Sequence, residues 1–216
     1  MKKTLLYFLI AMFPASITAQ KIAYKHNFHR CYTHEKMQEL RALDPAGYDK
    51  NKAKLELSIQ NWIAKKYQPG AKVIYTIPVV VQIFGATPNS AVTDNRVYEQ
   101  IAVLNQDYRR LNSDTNQTPT AFKTIAADCE IEFCLATIDP SGNATTGIVR
   151  KTGSNSPTSS DLWNTAQYLN LLVYSIGGGT LGFTYLPSQS PNNGVHIGYQ
   201  YFGITGADPT YNKGRT

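Results

Sequence analysis

The stretch Val73-Ile74-Tyr75-Thr76-Ile77-Pro78-Val79-Val80-Val81-Gln82-Ile83-Phe84 decides the fold class. It is rich in β-branched residues and nearly continuously apolar, without the alternation of a strand that keeps one face wet. Such a run suits a strand buried on both faces of an α/β layer. Pro78 interrupts it. A proline has no N–H to give to a sheet ladder, so it fits best near an edge or a bulge.

The segment after it, Thr93 to Asn112, has helical periodicity. Val97, Ile101, Leu104, Tyr108 and Leu111 step by four, three, four and three. Thr93 is placed to cap this helix, and Asp94 suits the positive end of its dipole. Arg96, Gln106, Asp107, Arg109 and Arg110 fall on the other side, so one face is expected to lie on a sheet. Further strands are predicted over Ile131–Ile138, Tyr168–Ile176, Thr180–Leu186 and Gly194–Tyr199. Between them lie a turn at Asp139-Pro140-Ser141-Gly142-Asn143, a polar loop over residues 151–160, and a break at Gly177-Gly178-Gly179. One strand, one helix and four more strands make a five-stranded mixed α/β layer. A single helix covers only one face of that sheet. The other is expected to be partly bare and to favour self-association.

Upstream the composition shifts near residue 70. Residues 20–70 hold three of the four histidines and a helical stretch from about Asp49 to Lys66, where Leu55, Ile59, Trp62 and Lys66 recur at spacings of four, three and four. Asp44-Pro45 reads as a cap and first-turn proline, and Gln68-Pro69-Gly70 ends the helix. The first residues read as a signal peptide, residues 1–19. Lys2 and Lys3 form its basic start, Leu5 to Phe13 its apolar run, and Ala19 its cleavage point. The run is shorter than the ~20 apolar residues a membrane span needs. The mature chain is therefore expected to be secreted and soluble, extracellular or periplasmic. Its charge is mild: +6 overall, and +4 once the two leader lysines are gone. The basic residues are scattered, so no nucleic-acid partner is indicated.

Few constellations offer chemistry. Cys31, Cys129 and Cys134 are an odd number of thiols for an exported chain, and the five-residue spacing of the last two argues against an intrastrand bridge. His26, His29, Cys31 and His34 fall within nine residues, but their spacing matches no familiar zinc cage. They read either as ligands or as polar residues of a flexible segment. Cys31 has a third reading: a pro-segment thiolate can fill the open position of a catalytic zinc elsewhere, with Arg30 favouring the thiolate. The triple glycine lacks the lysine and helix start of a phosphate loop. His196 is the only histidine past residue 34, no Gly-x-Ser-x-Gly elbow exists, and His196 reads as structural. Asp139 and Asn143 could suggest calcium, but a plain turn explains them. No His-Glu-x-x-His pair occurs in the 216 residues.

Taken in order, these segments resemble the upper, N-terminal part of the pappalysin-like metzincins, secreted zinc metallopeptidases of bacteria. Arg30-Cys31-Tyr32-Thr33 resembles that family's cysteine-switch motif, with Tyr32 where glycine is usual. Ile77-Pro78-Val79-Val80-Val81 resembles its first strand, and Leu104-Asn105-Gln106-Asp107-Tyr108-Arg109-Arg110-Leu111-Asn112 its backing helix. Ile131-Glu132-Phe133-Cys134-Leu135-Ala136, Tyr168-Leu169-Asn170-Leu171 and Leu181-Gly182-Phe183 resemble its second, third and edge strands. Gly194-Val195 and Gly214-Arg215-Thr216 resemble its last strand and the lead into the zinc helix. The resemblance implies an incomplete zincin-like subdomain with a twisted sheet over residues 71–216, a pro-segment over 20–70, and zinc as cofactor of the whole enzyme. It implies Cys31 as a latency ligand of that zinc. It also implies peptide or protein substrates paired along the edge strand, at Leu181, Gly182, Phe183 and Thr184. That strand is read equally well as a plain strand. No catalytic residue is assigned, because the family's three histidines and glutamate would follow Thr216. The expectation is a truncated protease frame that binds no zinc and is inactive alone. The alternative is a non-enzymatic peptide-binding scaffold or a degenerate remnant.

Overall fold

The computed structural model describes residues 31–66, 73–187, 190, 193–211 and 213–215. The leader at 1–19, His26, His29, Arg30, the break at Gln68-Pro69-Gly70 and Thr216 lie outside the described residues. In chain order the elements are α1 (Thr33–Leu43), α2 (Pro45–Lys66), β1 (Tyr75–Phe84), α3 (Ala86–Ala91), α4 (Asp94–Tyr108), β2 (Ile131–Leu135), β3 (Ile148–Lys151), β4 (Leu169–Tyr174), β5 (Gly182–Thr184) and β6 (Val195–Gly198).

The apolar run is the centre of the sheet. β1 pairs in parallel with β4 from Val79↔Leu169 to Ile83↔Val173. On its other side β2 runs beside Tyr75–Val79 and β3 beside Val81–Phe84, end to end. β6 adds in parallel to β4, and β5 closes that side as an antiparallel edge. Six strands therefore fill five positions across the sheet. β3 is the strand that periodicity did not mark; its Ile-Val-Arg-Lys is too short to carry a pattern. Pro78 sits in this central strand rather than at an edge. Odd-numbered N–H groups of β1 point toward β2 and β3, as Tyr75 N to Glu130 O and Val81 N to Gly147 O show. The missing donor at Pro78 therefore faces the β4 side, one residue before that pairing begins.

Val79, Val81, Ile83, Leu171, Val173 and Ile197 face α4 and form the core with Val92, Val97, Phe133 and Phe202. Each such side chain contributes about 1.5–3 kcal/mol by leaving water. Thr93 caps α4 by accepting from Arg96 N. The helix stops at Tyr108, four residues before the expected end. Leu111 N reaches back to Gln106 O and Arg110 N to Asp107 O, with Arg110 at φ 51°. This paired return of N–H groups is a Schellman stop with arginine at the left-handed position usually held by glycine. Leu111 lies beyond it, 73% exposed. Arg96, expected on the wet side, is buried. Its guanidinium donates to the carbonyls of Phe202 (2.7 Å), Tyr199 (2.8 Å) and Ala91 (3.3 Å), tying the chain after β6 to α4. Burial pulls its pKa below the ordinary guanidinium value.

The second face of the sheet is not bare. Val80, Gln82, Phe84, Asn170 and Leu172 on that face are fully buried. The loop after β3 covers it through a polar ladder. Gln82 Nε2 donates to Asp161 O and to Asn170 Oδ1, and Asn170 binds Trp163 through both its carbonyl and its amide. A buried glutamine and asparagine that hydrogen-bond the loop backbone do the covering that a helix would otherwise do. The other predicted spans also contract, from 73–84 to Tyr75–Phe84, from 131–138 to Ile131–Leu135, from 168–176 to Leu169–Tyr174, from 180–186 to Gly182–Thr184 and from 194–199 to Val195–Gly198. α2 starts at Pro45, four residues earlier than expected, with Asp44 Oδ1 accepting from Gly47 N. It packs chiefly on α1, and Ile59, Trp62 and Ile63 of its stripe are exposed.

Candidate functional site

The edge at β5 is where the N-terminal segment meets the sheet. Within β5 the groups alternate: Leu181 O accepts from Gly198 N of β6, so its even-numbered neighbours turn their backbone outward. Tyr32 N donates to Gly182 O at 3.0 Å, and Thr184 N donates to Thr33 Oγ1 at 3.0 Å. Residues 32–33 thus use the same hydrogen-bonding groups that an added strand would use. α1 begins at once after this contact and rests on β5, burying Met37. Of the four residues read as peptide-pairing, Gly182 and Thr184 face the free edge by backbone. Leu181 is buried and turned to β6, and Phe183 offers only its side chain.

That side chain is held in an aromatic group. Phe183 stacks on His196 with ring centroids 4.4 Å apart and planes at 8°, and Tyr185 meets both rings edge-on. His196 is buried, and its Nδ1 lies 3.2 Å from the Tyr174 hydroxyl, as expected of a structural histidine. Burial pushes the Tyr174 hydroxyl up to about 12 and raises Tyr185 in the same direction. In front lies a cavity of about 420 Å³ bounded by Tyr174, Ile176, Gly177, Gly178, Thr180 and Phe183 on the sheet side. Tyr32 and Lys36 close it from α1. Lys36 pairs with Glu39 at 2.7 Å, and that bond raises its pKa. The triple glycine is the connection from β4 to β5, with Gly178 and Gly179 at positive φ. Tyr32, Thr33 and Lys36 escaped the sequence reading because α1 has only a weak apolar stripe and no side-chain cap.

Cys31 stands one residue before the strand contact. Its thiol is exposed and donates to Thr33 Oγ1 at 3.2 Å. Cys129 and Cys134 are free and exposed as well. His34 bonds Gln38, and with His26 and His29 outside the described residues the histidine cluster is not assembled here. Asp139 is a plain turn: its carboxylate accepts from the N–H groups of Ser141 and Asn143, which lowers its pKa. Among the described residues no three His, Cys, Asp or Glu side chains come together to hold a metal. These residues therefore do not fit a catalytic zinc by themselves, and no chemical step is routed through one. Near the last residues Arg215 grips Asp107 through two nitrogens (2.6 and 2.7 Å) and Asp114 through a third (2.7 Å). The clasp holds the Asp114 carboxyl far below the usual range and raises Arg215.

No family model matches the chain, and no curated protein matches it. Solved structures do. A mutant of Tannerella forsythia promirolysin is 32% identical with a TM-score of 0.69, covering 87% of this chain and 65% of its own. Mature mirolysin of the same organism, in complex with a cleaved peptide, is 36% identical with a TM-score of 0.60, covering 68% and 60%. Mirolysin in complex with compound 9 is 37% identical with a TM-score of 0.59, covering 66% and 60%. The chain spans less than two thirds of the length of each. It resembles mirolysin in sequence and in fold, and that fold is a metallopeptidase-like one.

Proposed function

We propose that this chain is the pro-segment and upper layer of a secreted zinc metalloendopeptidase. Residues 20–70 act as the pro-segment, and residues 71–216 supply the sheet edge on which peptide substrates are laid out. The observation that carries this reading is the pairing of Tyr32 and Thr33 with Gly182 and Thr184. The pro-segment holds the hydrogen-bonding groups that a substrate strand would take by β-augmentation. The coverage supports it: 87% of the chain against promirolysin and 68% against the mature enzyme differ by 19% of 216 residues, about 41. That is the length of residues 31–70. Cys31, exposed at the end of this contact, is the latency ligand for a zinc in the whole enzyme. Export through the leader at 1–19 belongs to the same proposal.

The test opens the edge without removing any segment. Tyr32→Pro deletes the N–H that binds Gly182 O, and Thr33→Val deletes the acceptor of Thr184 N. Two backbone-type bonds are worth about 1 kcal/mol each, so the double variant frees β5 by roughly tenfold or more. A fluorescent extended peptide should bind the variant at least that much more tightly than the wild-type chain. Equal binding to both, or none to either, refutes the proposal.

A further inference from the structure

We infer that Phe183 forms a cation-accepting subsite on β5, taking the lysine or arginine side chain of an extended peptide paired with that strand, an inference that rests on the peptide-pairing reading above. The occupant of that position in this chain is a lysine. Lys36 Nζ lies 5.8 Å from the Phe183 ring centroid and 5.5 Å from that of Tyr32. An ammonium within about 6 Å of a ring centroid is drawn to the negative face of the ring. The ring is fixed in place, because His196 stacks on it and Tyr185 abuts its edge. A ring that cannot turn away presents a constant face.

The cavity in front of Phe183 suits this guest. Its sheet-side wall is Tyr174, Ile176, Thr180 and the Gly177-Gly178 backbone, with neither carboxylate nor cation in it. The acid that partners Lys36 is Glu39, and it sits on α1 with Lys36 itself. When α1 leaves β5, Tyr32, Lys36 and Glu39 leave together. What stays is a neutral aromatic wall beside the free backbone groups of Gly182 and Thr184. An incoming lysine would lay its apolar stem on Ile176 and keep its head at the open glycine side, half hydrated, as Lys36 does. An acidic side chain there would face the negative ring surface and gain nothing.

The test has two arms, both on the full chain. The first is a double-mutant cycle of Lys36→Met with Phe183→Leu, read from the hydrogen-exchange protection of Thr184 N–H. Lys36→Met should lower protection about two- to fivefold when Phe183 is present, the size of a partly exposed cation–ring contact. In the Phe183→Leu background it should change protection by less than that; the lost Glu39 pairing appears equally in both and cancels. The second arm uses Tyr32→Pro/Thr33→Val and two fluorescent extended peptides that differ only as lysine against norleucine. The lysine peptide should bind about two- to fivefold more tightly, Phe183→Tyr should keep that preference, and Phe183→Leu should erase it while norleucine binding persists. Equal binding of the two peptides, or equal effects of Lys36→Met in both backgrounds, overturns the subsite and leaves the strand reading standing. Binding of neither peptide overturns the strand reading and the subsite with it.

Discussion

Replacing Arg96 separates what its charge does from what its stem fills. The guanidinium donates to three backbone carbonyls and has no carboxylate at hydrogen-bonding distance among those contacts. Two of the bonds, to Phe202 O and Tyr199 O, are short and come from a charged donor, worth about 1.5–3 kcal/mol each. The third, to Ala91 O, is longer and adds little. Against that stands the cost of desolvating the cation, visible in its lowered pKa. Arg96→Met keeps most of the stem and loses every bond, leaving buried carbonyls without a donor; a loss of about 2–4 kcal/mol is expected. Arg96→Ala adds a cavity and should lose about 1–2 kcal/mol more. Out of a total stability of about 5–15 kcal/mol, either is a large fraction. Urea unfolding followed by far-ultraviolet circular dichroism reads both values from one series, with an unchanged slope showing that the transition remains two-state. A methionine variant within about 0.5 kcal/mol of wild type would mean that water satisfies those carbonyls, and that the arginine does not tie the chain after β6 to α4.

The chain on its own is expected to show no peptidase activity: assayed on casein and gelatin with added zinc, chelator-sensitive cleavage would contradict this. Acid should loosen the Arg215 clasp. Because the folded Asp114 carboxyl titrates below its unfolded value, its contribution is complete above about pH 4 and is lost as pH falls further. Between pH 5 and 2 the wild-type melting temperature should therefore fall more steeply than that of Asp114→Asn; parallel curves would remove the clasp as the cause. Any self-association should now trace to α2, where Trp62 is 60% exposed, and not to the sheet. Trp62→Glu should shift a sedimentation profile toward monomer, and an unchanged oligomer would place the contact elsewhere. Gly147→Ala should cost several kcal/mol, since φ is +72° and the added methyl would lie 2.8 Å from Ala136 N; a loss below about 1 kcal/mol in thermal melts would show that the corner between β2 and β3 relaxes.

The sheet was legible because its strands are buried on both faces, and burial writes itself into sequence as an unbroken apolar run. α4 was legible for a related reason: Val97, Ile101 and Leu104 meet the core every third or fourth residue. What could not be read were places where polar groups do the packing. Arg96 and Gln100 look like solvent-facing residues, yet both are buried, with Gln100 bound to Gly203 N and Gly214 O. Gln82 and Asn170 bury themselves to carry a loop across the second face. No periodicity distinguishes such residues from surface ones, because their partners are backbone carbonyls and N–H groups far away in sequence. The candidate site had the same limit. Leu181 to Thr184 could be read as an edge strand from composition, but the alternation of its backbone groups depends on how β6 pairs with it. That Tyr32 and Thr33 dock there follows from a 150-residue separation that no local pattern records.

The two edges of this sheet are closed by different means, and the difference bears on function. At β2 the outward backbone of Phe133 is plugged by one side chain: Asn105 accepts from Phe133 N at 2.6 Å and donates to Phe133 O at 2.9 Å. The amide imitates a neighbouring strand residue, and it comes from α4, which is packed into the core. Such an edge stays shut as long as the domain is folded, which protects it from pairing with other chains. At β5 the equivalent groups are met by a backbone N–H and a hydroxyl from residues 32–33. Those residues reach the sheet only through the covalent stretch 67–74, and α2 beyond them packs chiefly on α1 rather than on the core. An unprotected edge strand is a liability unless it is meant to be paired. One edge closed from within and the other closed by a segment outside the core is the arrangement expected if β5 is reserved for an extended chain. It also explains why three residues of strand suffice there: the occupant, and not β6 alone, completes the ladder.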